Sequence, residues 1–188
     1  MNMARVQKPP QGRLVVGIIH SSLDALADSL KALERRFGRV QCETTGAECA
    51  DGDFYREEMG SHLQRRFFSF ERPVSRESLI EIKGICHKIE PLFADRTGED
   101  FYFRTVNIDP GILTPTNIVV ASHREQNHRV YLANGVYAET ALIFSRGQFC
   151  RLPWTSPDYY ADEAIDFFLR VRGTFDELQR LDSAAIGA

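Results

Sequence analysis

The sequence predicts an α+β fold. Its first half is ferredoxin-like, with one β-α-β unit followed by another, and its second half is an antiparallel β-meander followed by a C-terminal helix. Three observations lead to this class. A continuous apolar run is followed by apolar residues at helical spacing, the same order recurs further along, and the second half consists of short apolar segments separated by turn residues. Because that half lacks crossover helices, a doubly wound parallel sheet is disfavoured.

The first β-α-β unit begins with the apolar run 14–19, which is typical of a central strand buried on both faces. Ser21 and Ser22 precede apolar residues spaced three or four apart, so they supply the N-cap of a helix. Gly38 fits the C′ position, where glycine commonly ends a helix. A second strand is predicted near residues 40–45.

The second unit is predicted to have the same order of elements. Residues 46–60 are acidic and are expected to be irregular, and residues 67–70 form a strand that ends at Pro73. Ser75 then caps a second helix, whose apolar residues again repeat at helical spacing. Residues 94–100 are predicted to be a polar loop.

The strand that completes the second unit is predicted over residues 101–108. Asp109-Pro110-Gly111 closes it, because proline at the second position and glycine at the third specify a type II turn. Asn107 and Asp109 alternate onto the same side of this strand end, where ligand-binding side chains are common. For Asp109 alone a local explanation is favoured, since aspartate at the start of a turn accepts backbone hydrogen bonds.

The second half of the chain has the pattern of a β-meander. Its predicted strands are 118–121, 128–133, 136–145 and 148–152. A last helix is predicted over roughly 161–181, and Gly173 within it indicates a kink or a break into two pieces.

Length and composition indicate a single domain over residues 13–188, preceded by a flexible leader at residues 1–12. The four cysteines form no Cys-x-x-Cys pair, so we expect reduced thiols in a cytoplasmic protein. The net charge of −3 disfavours a nucleic acid as partner. No apolar run is long enough for a membrane span, so no membrane partner is expected.

The segment 128–139 predicts a β-hairpin, because Asn134-Gly135 is typical of a type I′ turn. A two-residue loop would pair 133 with 136 and 130 with 139, which places His128 near Glu139 on one face and Arg129 on the other. An imidazole beside a carboxylate suits acid–base chemistry or metal binding. The same pattern also fits a structural ion pair at the edge of the sheet.

Arginines near these residues are candidate anion clamps. Arg129 belongs to the hairpin, and Arg65 and Arg66 precede an apolar strand. Since adjacent strand residues point to opposite faces, only one of Arg65 and Arg66 can serve a given site.

Five sequence motifs occur in order along the chain: LVVGIIHS, FYREEMG followed by RRFFSFE, VNIDPG, HRVYLANGVYAE and PWTSPDY. As a set they resemble the prokaryotic domain-of-unknown-function family 4416, and the resemblance extends from Leu14 to the last helix. That family has no established activity, so the resemblance implies no catalytic roles. It implies that the following residues occupy motif positions: Asn107, Asp109, Gly111, His128, Arg129, Tyr131, Gly135, Tyr137 and Glu139.

The leading hypothesis is a polar pocket beside the hairpin that binds a small anionic ligand, a nucleotide or a phosphorylated metabolite. Asp109 and Glu139 would be acceptors or metal ligands, and His128 an acid, a base or a ligand. Asn107 and Tyr137 would complete the ligand-binding set together with three arginines, Arg65, Arg66 and Arg129. No metal site is assigned, no cofactor is named, and enzymatic activity is left open.

The alternative is a non-enzymatic protein-interaction module or a homodimer. In that case the faces of the meander would dock a partner or a second copy, with Tyr131, Tyr137 and Trp154 as anchors.

Overall fold

The structure, a computed structural model, describes residues 6–96 and 102–186 of the chain. Most of the predicted polar loop 94–100 therefore lies outside the described residues. The elements are, in chain order, β1 (Gly12–His20), α1 (Leu23–Phe37), β2 (Val40–Glu43), β3 (Ala47–Glu48), α2 (Gly52–Met59), β4 (Gln64–Val74), α3 (Leu79–Ile89), β5 (Asp95–Arg96), β6 (Tyr102–Phe103), β7 (Val106–Leu113), β8 (Asn117–Ser122), β9 (Val130–Ala133), β10 (Val136–Ser145), β11 (Gln148–Arg151) and α4 (Asp162–Ile186). The predicted α+β class is confirmed.

A single large antiparallel sheet organises the fold. Within the described residues it has nine strands in the order β11-β10-β8-β7-β1-β4-β2, with β3 paired to β4 and β9 paired to β10. Its first-half portion has the order β7-β1-β4-β2, where α1 links β1 to β2 and α3 links β4 to β7. The insertion of β3 and α2 between β2 and β4 was not predicted.

Helices cover both faces of the sheet. Leu14, Val16 and Ile18 of β1 pack with α1 and α3 on one face, and Val15 packs with α4 on the other. Every residue of β1 is buried, which confirms the prediction of a central strand. Because successive side chains of β1 point to opposite faces of the sheet, this strand contributes to the hydrophobic cores on both faces.

The predicted ends of α1 are confirmed. The Ser22 hydroxyl accepts a hydrogen bond from the Ala25 N–H, and Gly38 ends the helix with a φ of 94°. Leu23, however, is exposed, so the apolar stripe begins one turn later, at Leu26.

Residues 46–60 contain a helix, α2, where an irregular acidic segment was expected. Tertiary contacts explain this difference. The Arg104 N–H donates to the Glu58 carbonyl at 3.0 Å, and Gly60 ends the helix with a φ of 80°. Long-range contacts of this kind override the weak helical signal of a short polar stretch.

The predicted type II turn at residues 109–111 is wrong, because β7 continues through it. Asp109, Pro110 and Gly111 pair with Gly17, Val16 and Val15 of β1. The pairing of β7 with β8 begins only at Gly111. Pro110 has no N–H to donate to a neighbouring strand. At its position β1 is the strand that pairs with β7 within the described residues. Asp109 consequently lies inside the sheet.

The Asn134-Gly135 turn forms as predicted, with φ of 53° and 72°. Val136 pairs with Ala133, but a bulge follows, and Tyr137 then pairs with Tyr131. The predicted register is therefore wrong beyond the first pair, since one inserted residue shifts all later pairs. The two tyrosine rings pack edge to face with centroids 5.3 Å apart.

The structure adds one feature of the second half and corrects another. The side chains of β9 are largely exposed, so this strand is an uncovered edge of the sheet. Helix α4 runs without a break through Gly173, where a Cβ would meet no atom within 4 Å. No helix in the described part of the chain has the length and apolar character needed to cross a membrane.

Candidate functional site

A cavity of about 490 Å³ opens where β7 and β8 separate. The two strands pair from Gly111 and Val120 towards Leu113 and Ile118, and Asn107 and Asp109 of β7 line the cavity beyond that point. Residues of α2, α3, β10 and the segment before α4 complete its walls. The volume is in the range of ordinary small-molecule sites.

The inner end of the cavity holds an ion-pair network that we call the inner cluster, formed by Arg65, Lys83, Asp109 and Asp158. Asp109 lies 3.6 Å from Arg65 Nη2 and 3.7 Å from Lys83 Nζ. Arg65 Nε lies 3.2 Å from Asp158 Oδ2, without the geometry of a hydrogen bond. Asn107 Nδ2 donates to Asp109 Oδ2 at 2.8 Å. Each buried charge therefore has a partner of opposite sign.

Four elements bring these charges together. Arg65 belongs to β4, Asp109 to β7 and Lys83 to α3, where the Lys83 ammonium also donates to the Ile108 carbonyl at 3.0 Å. Asp158 lies in the 3-10 turn before α4, and its Oδ1 accepts the Ala50 N–H at 2.8 Å. The inner cluster thus fixes the start of α2 against the segment before α4.

Phenol and thiol groups beside the inner cluster stay protonated over a wide pH range. Burial holds the pKa of Tyr159 well above its ordinary value, although Arg65 opposes the shift. Burial, reinforced by Asp109, raises the pKa of Tyr55 to about 12. Burial also raises the pKa of Cys49 to about 11. For Arg65, burial alone would lower the pKa, but Tyr159, Asp109 and Asp158 raise it above the ordinary value.

The hairpin contributes a second group, the hairpin cluster, formed by His128, Arg129 and Glu139. Glu139 Oε2 lies 2.9 Å from His128 Nε2 and accepts from Arg129 Nε at 2.6 Å. The prediction that His128 lies beside Glu139 holds, but the separation of Arg129 onto another face is wrong. His128 and Arg129 precede β9, so strand alternation does not constrain their side chains.

A β-bulge in β10 positions the aromatic wall above the hairpin cluster. The pairing of β10 with β8 is interrupted between Thr140 and Leu142. The Thr140 carbonyl accepts from Trp154 Nε1 at 2.9 Å, and the Ala141 carbonyl accepts from the Thr155 hydroxyl at 2.6 Å. The Trp154 ring stacks on His128 with centroids 5.1 Å apart and 9° between the planes.

The mouth of the cavity carries a third group, which we call the rim cluster. Its members are His87, Glu90, Arg104, His123, Arg124 and, from α2, Glu58. These side chains form a series of contacts. The ring centroids of the two histidines are 4.9 Å apart, and His87 Nδ1 is 3.9 Å from Glu90 Oε2. The same Glu90 oxygen is 3.4 Å from Arg104 Nη1. Arg104 and Arg124 both contact the Glu58 carboxylate.

The structure brings together six of the eight predicted site residues. Asn107, Asp109, Arg65, His128, Arg129 and Glu139 all line the cavity. Arg66 and Tyr137 do not line it. Arg66 points to the other side of β4, where Nε donates to the Thr44 carbonyl and Nη2 pairs with Glu43. Tyr137 packs on Tyr131 at the hairpin edge.

Several residues that line the cavity, or that pair with its lining, had no signal in the sequence. Lys83 lies within an ordinary helical pattern. Glu58 lies in a segment predicted to be irregular, and Arg104 lies in a predicted strand. Asp158 and Tyr159 belong to the aromatic segment before α4, which has no recognisable motif for binding. In the described residues, no three or more His, Cys, Asp or Glu side chains are grouped so that they could hold a metal ion.

Fold and site together define an α+β protein with one large antiparallel sheet and a charged cavity at the point where two of its central strands separate. A family model described as "Domain of unknown function (DUF4416)" matches residues 10–175. The chain belongs to this family, which confirms the resemblance seen in the sequence motifs. No curated protein and no solved structure matches the chain.

Proposed function

We propose that the cavity binds a small anionic ligand, either a nucleotide or a phosphorylated metabolite. The observation that carries the proposal is the composition of the lining. Five Lys and Arg side chains and three histidines line it against four carboxylates, in a protein with a net charge of −3. A concave site with this excess of donors attracts and binds oxyanions.

Arg129 is the best-placed donor for such a ligand. Its Nε donates to Glu139, and its Nη1 donates to the Ser122 hydroxyl and to the Arg124 carbonyl, both at 3.0 Å. These bonds fix the guanidinium plane and leave Nη2 without a partner among the described residues. A donor that is already oriented loses little conformational entropy when it binds an anion.

The aromatic side chains of the lining favour a ligand that contains a flat ring. Phe54, Tyr55, Trp154 and Tyr159 all line the cavity. Stacking on such rings is a general means of holding a nucleobase. A nucleotide would use both the donors and the aromatic walls, whereas a sugar phosphate would use the donors alone.

Calorimetric titration with a panel of nucleotides and sugar phosphates tests the proposal. Arg129→Met should lower the affinity for a ligand found in the panel by about tenfold or more, because a hydrogen bond to a charged group is lost. Arg36→Met is the matched control, since Arg36 is exposed on α1, outside the cavity. The proposal fails when no anion in the panel binds, or when the two variants behave alike.

A second candidate function, self-association, is favoured by the exposure of β9. Val130, Tyr131 and Leu132 are exposed apolar residues on a strand that pairs with β10 alone within the described residues. An open apolar edge strand is a template for pairing with another chain. Light scattering should then detect a dimer that Val130→Lys dissociates, and a monomer at all concentrations would exclude this candidate.

A further inference from the structure

We infer that the rim cluster is the subsite for the phosphate group of a phosphate monoester, and that Glu58 of α2 is an internal competitor for that subsite. The inference rests on the proposed function and deepens it, since it names the chemical group and the place where it binds. The observation behind it is that one carboxylate from α2 contacts two arginines of the cavity mouth.

The contacts of Glu58 resemble those of a bound oxyanion. Its Oε2 accepts a hydrogen bond from Arg104 Nη2, and its Oε1 lies 3.8 Å from Arg124 Nη2. Two guanidinium groups that converge on one anion are typical of phosphate and carboxylate recognition. A phosphate placed between Arg104 and Arg124 would make the contacts that Glu58 makes.

Exposure makes the exchange feasible. The Glu58 side chain is 51% exposed, and those of Arg104 and Arg124 are 25% and 37% exposed. The carboxylate can therefore rotate into solvent without movement of a buried group. An ion pair with this exposure is weak, so a ligand with more charge can replace it.

Both arginines keep other contacts when Glu58 leaves. Arg104 Nη1 donates to Asn107 Oδ1 at 3.1 Å. The Arg124 guanidinium lies over the rings of Phe54 and Tyr55, 4.3 and 5.1 Å from their centroids. These contacts hold the two guanidinium groups in place for an incoming anion.

The two histidines of the rim cluster favour phosphate over a carboxylate. His87 and His123 line the same mouth, and the Nδ1 of His123 contacts the Gly135 carbonyl at 2.9 Å. When protonated, each ring adds a donor and a positive charge. A dianionic phosphate gains more from these extra donors than a carboxylate does.

Glu58 has a competing explanation as a tether that only holds α2 in place. The two explanations differ in the sign of one effect. A tether predicts that Glu58→Gln leaves anion affinity unchanged or weakens it, because the wall of the cavity loosens. A competitor predicts that Glu58→Gln increases affinity, because the phosphate no longer displaces a charged group.

The test is calorimetric titration of the full chain with inorganic phosphate, AMP and ribose 5-phosphate at fixed ionic strength. Glu58→Gln should bind all three about two- to fivefold more tightly than the unmodified protein, which corresponds to the loss of one exposed ion pair. Glu57→Gln is the matched control, because it removes the same charge from an exposed neighbour on the same helix. Arg124→Gln should weaken binding about tenfold or more.

The outcomes separate this inference from the proposed function. Anion binding that is lost in Arg129→Met but unaffected by Glu58→Gln and Arg124→Gln would overturn the rim subsite and keep the proposed function. Absence of binding by all three probes in every variant would overturn both. A gain in Glu58→Gln with all three probes supports the inference, and the affinity order of AMP and ribose 5-phosphate then separates nucleotide from sugar phosphate.

Discussion

The arginine of the inner cluster is buried, whereas the two arginines of the rim cluster are partly open to solvent. In the inner cluster the side chains of Arg65 and Asp158 are 5% and 7% exposed, and Arg65 pairs with both Asp158 and Asp109. In the rim cluster the two arginines are 25% and 37% exposed and share the exposed carboxylate of Glu58. Arginine therefore has two roles in this cavity. The buried arginine of the inner cluster stabilises the fold, and the partly exposed arginines of the rim cluster can bind a ligand.

Burial is the physical reason for the two roles. A charge that has lost its hydration depends on its partner, so removal of the partner is costly. A charge in contact with water loses little when its partner leaves, because solvent replaces the ion pair. Substitutions in the two clusters should therefore affect different measurements.

The largest effect on stability is expected for Arg65→Met. This change leaves the carboxylates of Asp109 and Asp158 without their shared buried cation, and the free energy of unfolding should fall by about 3–5 kcal/mol. Urea denaturation measures the change. Arg66→Met on the same strand is the control, since its ion pair with Glu43 is more exposed and its loss should cost less than about 1 kcal/mol. Equal losses in the two variants would contradict the distinction between buried and exposed arginines.

An intermediate effect on the free energy of unfolding is expected at alkaline pH. The folded-state pKa values of Cys49 and Tyr55 are raised to about 11 and about 12, so the unfolded chain releases these protons first. The stability linked to these groups is then fully present below about pH 8, since unfolded thiols ionise with a pKa of about 8.5, and it declines as the pH rises to about 12.

The Tyr55→Phe variant isolates one part of this decline. It removes one phenol proton, so the slope of the unfolding free energy against pH should become less negative between pH 10 and 12. Urea titrations at several pH values measure the slope. An unchanged slope would show that the phenol of Tyr55 ionises alike in the folded and unfolded chains.

The smallest effect on stability is expected for Arg124→Gln in the rim cluster. Its contacts with Glu58 and the two aromatic rings are partly exposed, so the free energy of unfolding should change by less than about 1 kcal/mol. The same variant is the one expected to lose phosphate affinity. A loss of several kcal/mol in urea denaturation would place Arg124 with the inner cluster and break the comparison.

Local sequence signals predicted several features of the fold. The apolar run of β1, the Ser22 cap of α1 and the Asn134-Gly135 turn were all found where the sequence placed them. The cap and the turn involve residues only a few positions apart, whereas β1 was recognised from its continuous apolar run alone and pairs with the distant strands β4 and β7. The sequence therefore contains the information needed to locate them.

Signals of the same local kind failed where a distant partner decided the outcome. Asp109-Pro110-Gly111 has the composition of a turn, yet pairing with β1 extends it as a strand. Helix α2 forms in a weakly helical segment, where the backbone N–H of Arg104 donates to the Glu58 carbonyl. The bulge after Val136 changed the register of the hairpin, which no residue near the turn indicated.

For this protein, the sequence by itself determined the α+β class, the family and six residues of the cavity. Only the tertiary structure decided that these six meet, because they come from β4, β7, β10 and the segment before β9. The tertiary structure also decided which charged side chains are buried and which are exposed to solvent. Both depend on the strand order of the sheet and on the separation of β7 from β8, which join residues far apart in the chain.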